Sequence, residues 1–516
     1  MSDIINSSLK DTVKSTTLVF LGMVASILLW FVSKILIVRN ITKEDLGLYS
    51  LVVAVAGIVS IFSTLGLQEG LSRYISVYNG QGKKAESESV ALAGIKIGIM
   101  SGVCFSALLF LGSGVMARYV FYKPELKVPL MVISFFVLFS TAANIMIGIL
   151  RGHNMVTPKV YFNDVGQPFF FLVLISLFFL LGLPFISIVY AYTAAMLLVL
   201  IFITINYYLK AELPLSLKGG RHAKELIRFS APLFVASMLG ITLTWCDTIM
   251  LGRYTVASEV GIYNVSASLA KLLMFPLAAL EFVYMPIAGE MYAKRQMPEL
   301  NKTYQILTKW NFTVTLPIFF ILFFFPETTL SFLFSERFVE SSVSLQILSV
   351  CFLFHAFLGA NGVLMIIMGR SRDLMNISVF GALLNILLNY VLIKLCGYGA
   401  VGASVATLIS YFALNIVISL VLYKLSGIHP MTAVYIKPVI GSAIAALIIY
   451  GLAKSLPLYF WMLPVYLLLF IAGYGYALVV TKSIEKEDVF IFDAIAGRTG
   501  FRMDRVRSFL HRAAKI

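Results

Sequence analysis

Charged residues are scarce in this sequence: Asp, Glu, Lys and Arg make up 13% of its 516 residues, against 60% hydrophobic ones. A soluble domain carries about a quarter charged residues, so this chain cannot cover a surface facing water, and a soluble globular fold is excluded. Cysteine is also rare. Cys104, Cys246, Cys351 and Cys396 all fall in or beside apolar runs with no CxxC pair, so no disulfide framework or zinc ribbon is encoded. His355 has no second His, Cys or carboxylate at ligand spacing, and no metal, cofactor or catalytic residue is assigned. Long polar segments are missing too. On the side facing away from the N terminus the longest loops run from Gly112 to Lys127 and from Glu327 to Ser342. A membrane glycosyltransferase or polymerase needs a catalytic carboxylate or an acidic metal-binding motif on an accessible loop. No DxD-like cluster with a domain behind it is present, so an enzyme is not expected.

What the sequence has is apolar runs of roughly 18–25 residues, each long enough to cross a ~30 Å hydrocarbon core as a helix. Fourteen spans are expected, at 14–38, 47–67, 89–111, 128–150, 160–181, 184–207, 227–250, 261–285, 306–326, 343–368, 376–395, 401–423, 433–453 and 459–481. The first lacks the short apolar core and small-residue site of a cleaved leader and is expected to stay. An even number of spans returns both termini to one side. Most of the 40 Lys and Arg lie on that side, which predicts a multi-pass protein of the cell membrane with both termini cytoplasmic. The net charge of +15 is therefore a matter of topology, and no nucleic-acid partner is expected. Beyond the last span, Arg498, Arg502, Arg505, Arg507 and Arg512 alternate with Met503, Val506 and Leu510 at helical spacing. This predicts a basic amphipathic helix on the anionic inner leaflet.

The chain also repeats itself. RNITKEDLGLY after the first span and GRYTVASEVGIY after the seventh share Arg39 with Arg253, Asp45 with Glu259, Gly47 with Gly261 and Tyr49 with Tyr263. Lys10 and Lys14 correspond to Lys224 and Arg228, the loop at Gly182 to that at Gly397, and ILRGHN at Arg151 and Gly152 to IIMGRS at Gly369 and Arg370. Nearly one offset relates them all. That predicts two six-helix bundles made by parallel duplication, with spans thirteen and fourteen outside the repeat. The expected divisions are 1–210, 211–425, 426–482 and a basic tail at 483–516.

These residues resemble a known family, the polysaccharide transporter or Wzx-type flippase branch of the multidrug/oligosaccharidyl-lipid/polysaccharide exporter superfamily. Arg39, Gly47, Leu48, Tyr49 and Ser50 carry the likeness, with LGLQEGLSRYIS through Gly66 and Arg73 and with GYGAVGASVATLIS. The resemblance implies an all-α, polytopic membrane protein in which two six-helix lobes form a V around a cavity, plus two C-terminal helices that accompany a lipid tail. It also implies a cargo, an anionic lipid-linked oligosaccharide carried on an isoprenoid phosphate or pyrophosphate. Membrane lipids and other glycan-assembly proteins are the further partners expected.

Independently of any family, charges within spans ask for a reason, because a Lys at a helix centre costs roughly 2.5–3.5 kcal/mol on insertion scales. Lys34, Lys96 and Lys271 qualify. Lys34 and Lys96 lie near enough to span ends to snorkel, whereas Lys271 sits near the midplane. All three are candidate substrate-binding residues, and Arg73, just past the second span, is a fourth at the cavity mouth. A cation in a wet cleft attracts the phosphate common to all lipid-linked sugars, and Lys does so without the fixed fork of Arg. The alternatives are a drug or cation antiporter of the same superfamily, which would carry carboxylates in its cavity, and a polymerase or scaffold of a glycan-assembly complex.

Overall fold

Inside a bilayer no water is present to satisfy free backbone N–H and C=O groups, so an apolar chain crosses it as helices. The computed structural model describes residues 2–155, 157–210, 222–455, 460–481 and 483, and they form helices with no strand among them. In the first half these are α1 (Ser2–Asn40), α2 (Lys43–Thr64), α3 (Leu67–Gly80), α4 (Lys84–Val115), α5 (Lys127–Gly152), α6 (Gln167–Leu180) and α7 (Ile186–Lys210). Then come α8 (Ala223–Tyr254), α9 (Ala257–Ala270), α10 (Phe275–Ala293), α11 (Met297–Phe324), α12 (Pro326–Leu333), α13 (Ser342–Leu358) and α14 (Asn361–Ile367). The last are α15 (Ser371–Asn389), α16 (Gly399–Ser426), α17 (Ala433–Lys454) and α18 (Leu463–Val480). Among the described residues 13 helical segments are long and apolar enough to cross a membrane. The remaining expected span, 227–250, falls on the 32-residue α8. The expected tail helix at 498–516 lies outside the described residues.

The chain divides into two compact units, Met1–Asn264 with Asn389–Gly399, and Val265–Leu388 with Ala400–Ile516. In the first unit small residues let helices approach closely. A Cβ on Gly94 of α4 would lie 2.5 Å from Leu71 of α3, and one on Gly148 of α5 would lie 2.7 Å from the Gln68 carbonyl. The second span runs longer than its sequence predicts, because α3 continues it to Gly80 after a break at Leu65 and Gly66, both left-handed with φ of 51° and 68°. In the second unit aromatic contacts tie α18 and, through Phe324 and Tyr450, α17 to the C-terminal end of α11. Phe320 stacks on Phe470 at 4.3 Å and Phe325 on Tyr466 at 5.6 Å.

Two of the segment pairs matched in the sequence share local geometry. Asn154 and Gly369, which close equivalent helices, are both left-handed (φ 60° and 73°), and so are Gly182 and Gly397 (φ 68° and 73°). The first pair makes the same closing bond, from Met155 N to Leu150 O and from Arg370 N to Met365 O, each 2.9 Å.

Candidate functional site

The two copies of the repeated motif meet inside the first unit. Thr42 caps α2, its hydroxyl oxygen accepting the Asp45 amide at 3.1 Å and donating to the Asp45 carboxylate at 2.9 Å. That pairing accounts for the acidic residue two positions before the glycine, and such a cap is worth about 1 kcal/mol. One half-turn on, Gly47 crosses Gly261 of α9. A Cβ built on Gly47 would lie 1.8 Å from the Ala257 carbonyl oxygen, and one on Gly261 would lie 2.3 Å from the Lys43 carbonyl oxygen. Each glycine thus faces the carbonyl four residues ahead of the other, a reciprocal contact with room for hydrogen alone. The matching tyrosines, Tyr49 and Tyr263, are both buried.

Beneath the crossing lies a carboxyl group. Asp247 of α8 is 2% exposed, its Oδ2 accepting the Tyr263 hydroxyl and its Oδ1 accepting Asn389 Nδ2 at 2.7 Å. Its partners thus come from two other helices, α9 and α15. Beside it, Ile58, Ile61 and Phe62 of α2 and Met238, Ile249 and Met250 of α8 line an open apolar groove of about 240 Å³.

At the end of the unit remote from the N terminus, two cations close helix ends. Lys123 Nζ donates to the carbonyls of Gly252 (2.6 Å) and Thr255 (2.8 Å), the last turn of α8, where a positive charge complements the helix dipole. Burial lowers the Lys123 pKa from its ordinary value, and nearby Glu125 partly offsets this. Arg253 donates to the carbonyls of Tyr119 (3.0 Å) and Val120 (2.7 Å) and lies over the Tyr122 ring at 4.3 Å. The repeat marked Arg253 only as a motif residue. Lys123 carried no sequence signal, since its acceptors are backbone carbonyls far along the chain.

Of the four residues predicted to bind substrate, Lys34, Lys96 and Arg73 belong to the first unit and Lys271 to the second. Lys34 is half-buried on α1, Lys96 is exposed on α4, and Arg73 is exposed on α3. Packing of Leu71 on Gly94 puts Arg73 and Lys96 on one helical hairpin, to either side of that contact. The Arg73 guanidinium lies 4.3 Å from the Phe229 ring centroid, a cation–π contact worth about 0.5–1 kcal/mol at an exposed site. Arg73→Gln is therefore expected to lower stability by no more than about 1 kcal/mol, checked by thermal unfolding in detergent.

Lys271 is exposed, and the helix changes form at it. Sequence periodicity predicts one continuous span over 261–285, but residues Lys271–Met274 are 3₁₀. Pro276 follows, and having no N–H it cannot bond the Leu272 carbonyl, so the preceding turn tightens.

The family profile described as "Polysaccharide biosynthesis protein" matches residues 12–292, and one described as "MatE" matches 232–391. A "Probable low-salt glycan biosynthesis flippase Agl15" from Haloferax volcanii is 23% identical over 423 residues, 79% of this chain and 82% of that protein. Among solved structures, "Lipid II flippase MurJ, inward closed conformation" superposes with a TM-score of 0.72 at 13% identity, covering 90% of this chain and 98% of that one. An inward-facing "multidrug resistance MATE family transporter of the MOP superfamily" gives 0.68 at 18% identity, covering 77% and 94%. The fold is that of these all-helical transporters.

Proposed function

The chain belongs to the polysaccharide biosynthesis protein family, and from that membership we propose that it is a flippase. It moves polyprenyl-phosphate- or pyrophosphate-linked oligosaccharides across the cell membrane by alternating access, for the assembly of a surface polysaccharide or glycan. The repeat halves, 1–210 and 211–425, are the moving lobes, and both termini face the cytoplasm. The likeness to the Haloferax volcanii protein, named as a probable flippase of glycan biosynthesis, supports this reading.

The single observation that carries the mechanism is Lys271, an exposed ammonium at an interrupted turn near the middle of the segment Ala257–Phe282. At mid-membrane depth a cation is tolerated where water reaches it, and the same water admits a phosphate. Lys271 holds the headgroup during passage, with Lys34 and Lys96 as further contacts and Arg73 at the mouth. The sugar needs only water and polar groups, and the apolar groove of α2 and α8 suits the lipid chain.

The test is reconstitution into vesicles with a labelled polyprenyl-linked sugar, comparing intact protein with Lys271→Ala. A lost charged hydrogen bond of about 1.5–3 kcal/mol is expected to slow flipping at least tenfold with normal membrane insertion. Unchanged flipping in the variant removes Lys271 from the mechanism, and absence of flipping by intact protein overturns the function. A drug or cation antiporter is the second reading, favoured by the buried carboxyl of Asp247. Efflux of a lipophilic cation from the same vesicles distinguishes it.

A further inference from the structure

The end of the first unit remote from the N terminus carries two cations that the flippase reading does not use. They are Arg253, near the end of α8, and Lys394, in the π-helical turn Tyr390–Leu395 that follows α15. Lys394 is exposed and Arg253 half-buried. Arg253 spends one nitrogen, Nη1, on the Tyr119 and Val120 carbonyls, and Lys394 donates to the Tyr390 hydroxyl at 2.9 Å. Among the described residues, Nη2 and Nε of Arg253 and two ammonium hydrogens of Lys394 then have no protein acceptor. A carboxylate partner is missing too. The groups that act on the Lys394 charge are Tyr390, Tyr254 and Arg253, the last of which repels it. Two mutually repelling cations with spare donors form a receptor for an anion.

Tyrosine rings hold both charges in place. The Arg253 guanidinium lies 4.3 Å from the Tyr122 ring centroid. The Lys394 ammonium lies 4.6 Å from that of Tyr390 and 5.5 Å from that of Tyr254, all within cation–π range. Tyr254 and Tyr390 in turn meet edge to face at 6.2 Å. The backbone around them is unusual. Tyr122 is left-handed (φ 54°), a conformation that a bulky residue rarely adopts. π-Helical turns supply both the carbonyls under Arg253, at Met116–Val120, and the Lys394 side chain, at Tyr390–Leu395. Such turns are frequent at functional sites.

Depth selects the anion. Lys394 is the last residue but one of the membrane-crossing segment Ser371–Leu395, and Arg253 the last but one of α8. That is the level at which a span ends and headgroups begin. Beside the two cations in the chain, Val120, Val256 and Leu395 are exposed. A free anion in water has no use for such apolar surface, whereas an acyl chain does. From the spare donors, the rings and this depth we propose that Arg253 and Lys394, framed by Tyr122, Tyr254 and Tyr390, bind the phosphate headgroup of an anionic phospholipid. The site uses none of the cargo cations.

The experiment is native mass spectrometry of the full chain in detergent, titrated with phosphatidylglycerol or with phosphatidylcholine. Intact protein is expected to hold phosphatidylglycerol about tenfold more tightly. Lys394→Gln is expected to remove that preference, and Lys394→Arg to keep it. Because Arg253 also supports the turn at Tyr119 and Val120, the exposed Lys394 carries the test. Lys127→Gln, at an exposed lysine that opens α5, measures the attraction exerted by any surface cation and is expected to leave the preference unchanged. Equal retention of the two lipids by intact protein would overturn the proposal. So would a preference that survives Lys394→Gln, or one that falls as far in Lys127→Gln. Displacement of bound phosphatidylglycerol by inorganic phosphate would overturn it as well, since the site would then take the free ion. Lipid retention is read without any transport, so failure here leaves the flippase reading standing.

Discussion

Gly47→Leu is expected to remove most of the folded protein, seen as loss of the monodisperse fraction in detergent and of the cooperative thermal transition. The cause is steric and local. A first side-chain carbon at this position would stand 1.8 Å from the Ala257 carbonyl oxygen, a backbone atom that cannot rotate away. Overpacked cores usually lose about 1–3 kcal/mol and relax by moving side chains. Here two helices must separate, so even Gly47→Ala is expected at or above the top of that range. Gly261→Ala should behave alike, since the contact is reciprocal, with 2.3 Å to the Lys43 carbonyl oxygen. Gly112→Ala serves as the control. It lies within α4 with nothing inside 4 Å of its added carbon, and is expected to stabilise by about 0.5–1 kcal/mol. Equal Tm values for Gly47→Ala and Gly112→Ala would refute the close crossing.

The second large effect belongs to Asp247. Removing its carboxyl in Asp247→Ala takes away the acceptor used by both the Tyr263 hydroxyl and Asn389 Nδ2. At about 1–3 kcal/mol for each buried donor deprived of its acceptor, a loss of roughly 2–6 kcal/mol is expected. Asp247→Asn keeps the shape and one acceptor oxygen, and is expected to cost less than half as much. Thermal unfolding of Asp247→Ala, Tyr263→Phe and the double variant provides the check. Non-additivity above about 0.5 kcal/mol is expected if the two side chains act as one unit, and strict additivity would count against it.

Both predictions combine a residue that the sequence marked with a partner that it could not. Gly47 and Gly261 stood out through the repeat, yet nothing in the pattern said that the two copies touch each other. Asp247 was visible as an acid near a span end, but its acceptor role depends on Asn389, which lies 142 residues away. Lys271 was legible as a charge at mid-span. The 3₁₀ turn that contains it was legible only in part, through Pro276, because periodicity registers apolar faces and not the loss of one backbone bond.

Composition and run length alone determined that this chain is a bundle of membrane helices, because the cost of exposing backbone polar groups to hydrocarbon leaves no other continuous structure for apolar segments of that length. The matched motifs, too, were written in linear spacing, and the turns at Asn154 and Gly369 and at Gly182 and Gly397 all take left-handed positions. Which surfaces meet was decided only in three dimensions. Helix contact in lipid turns on sub-ångström fit and on satisfying the last few polar atoms, and both depend on residues brought together from distant parts of the chain.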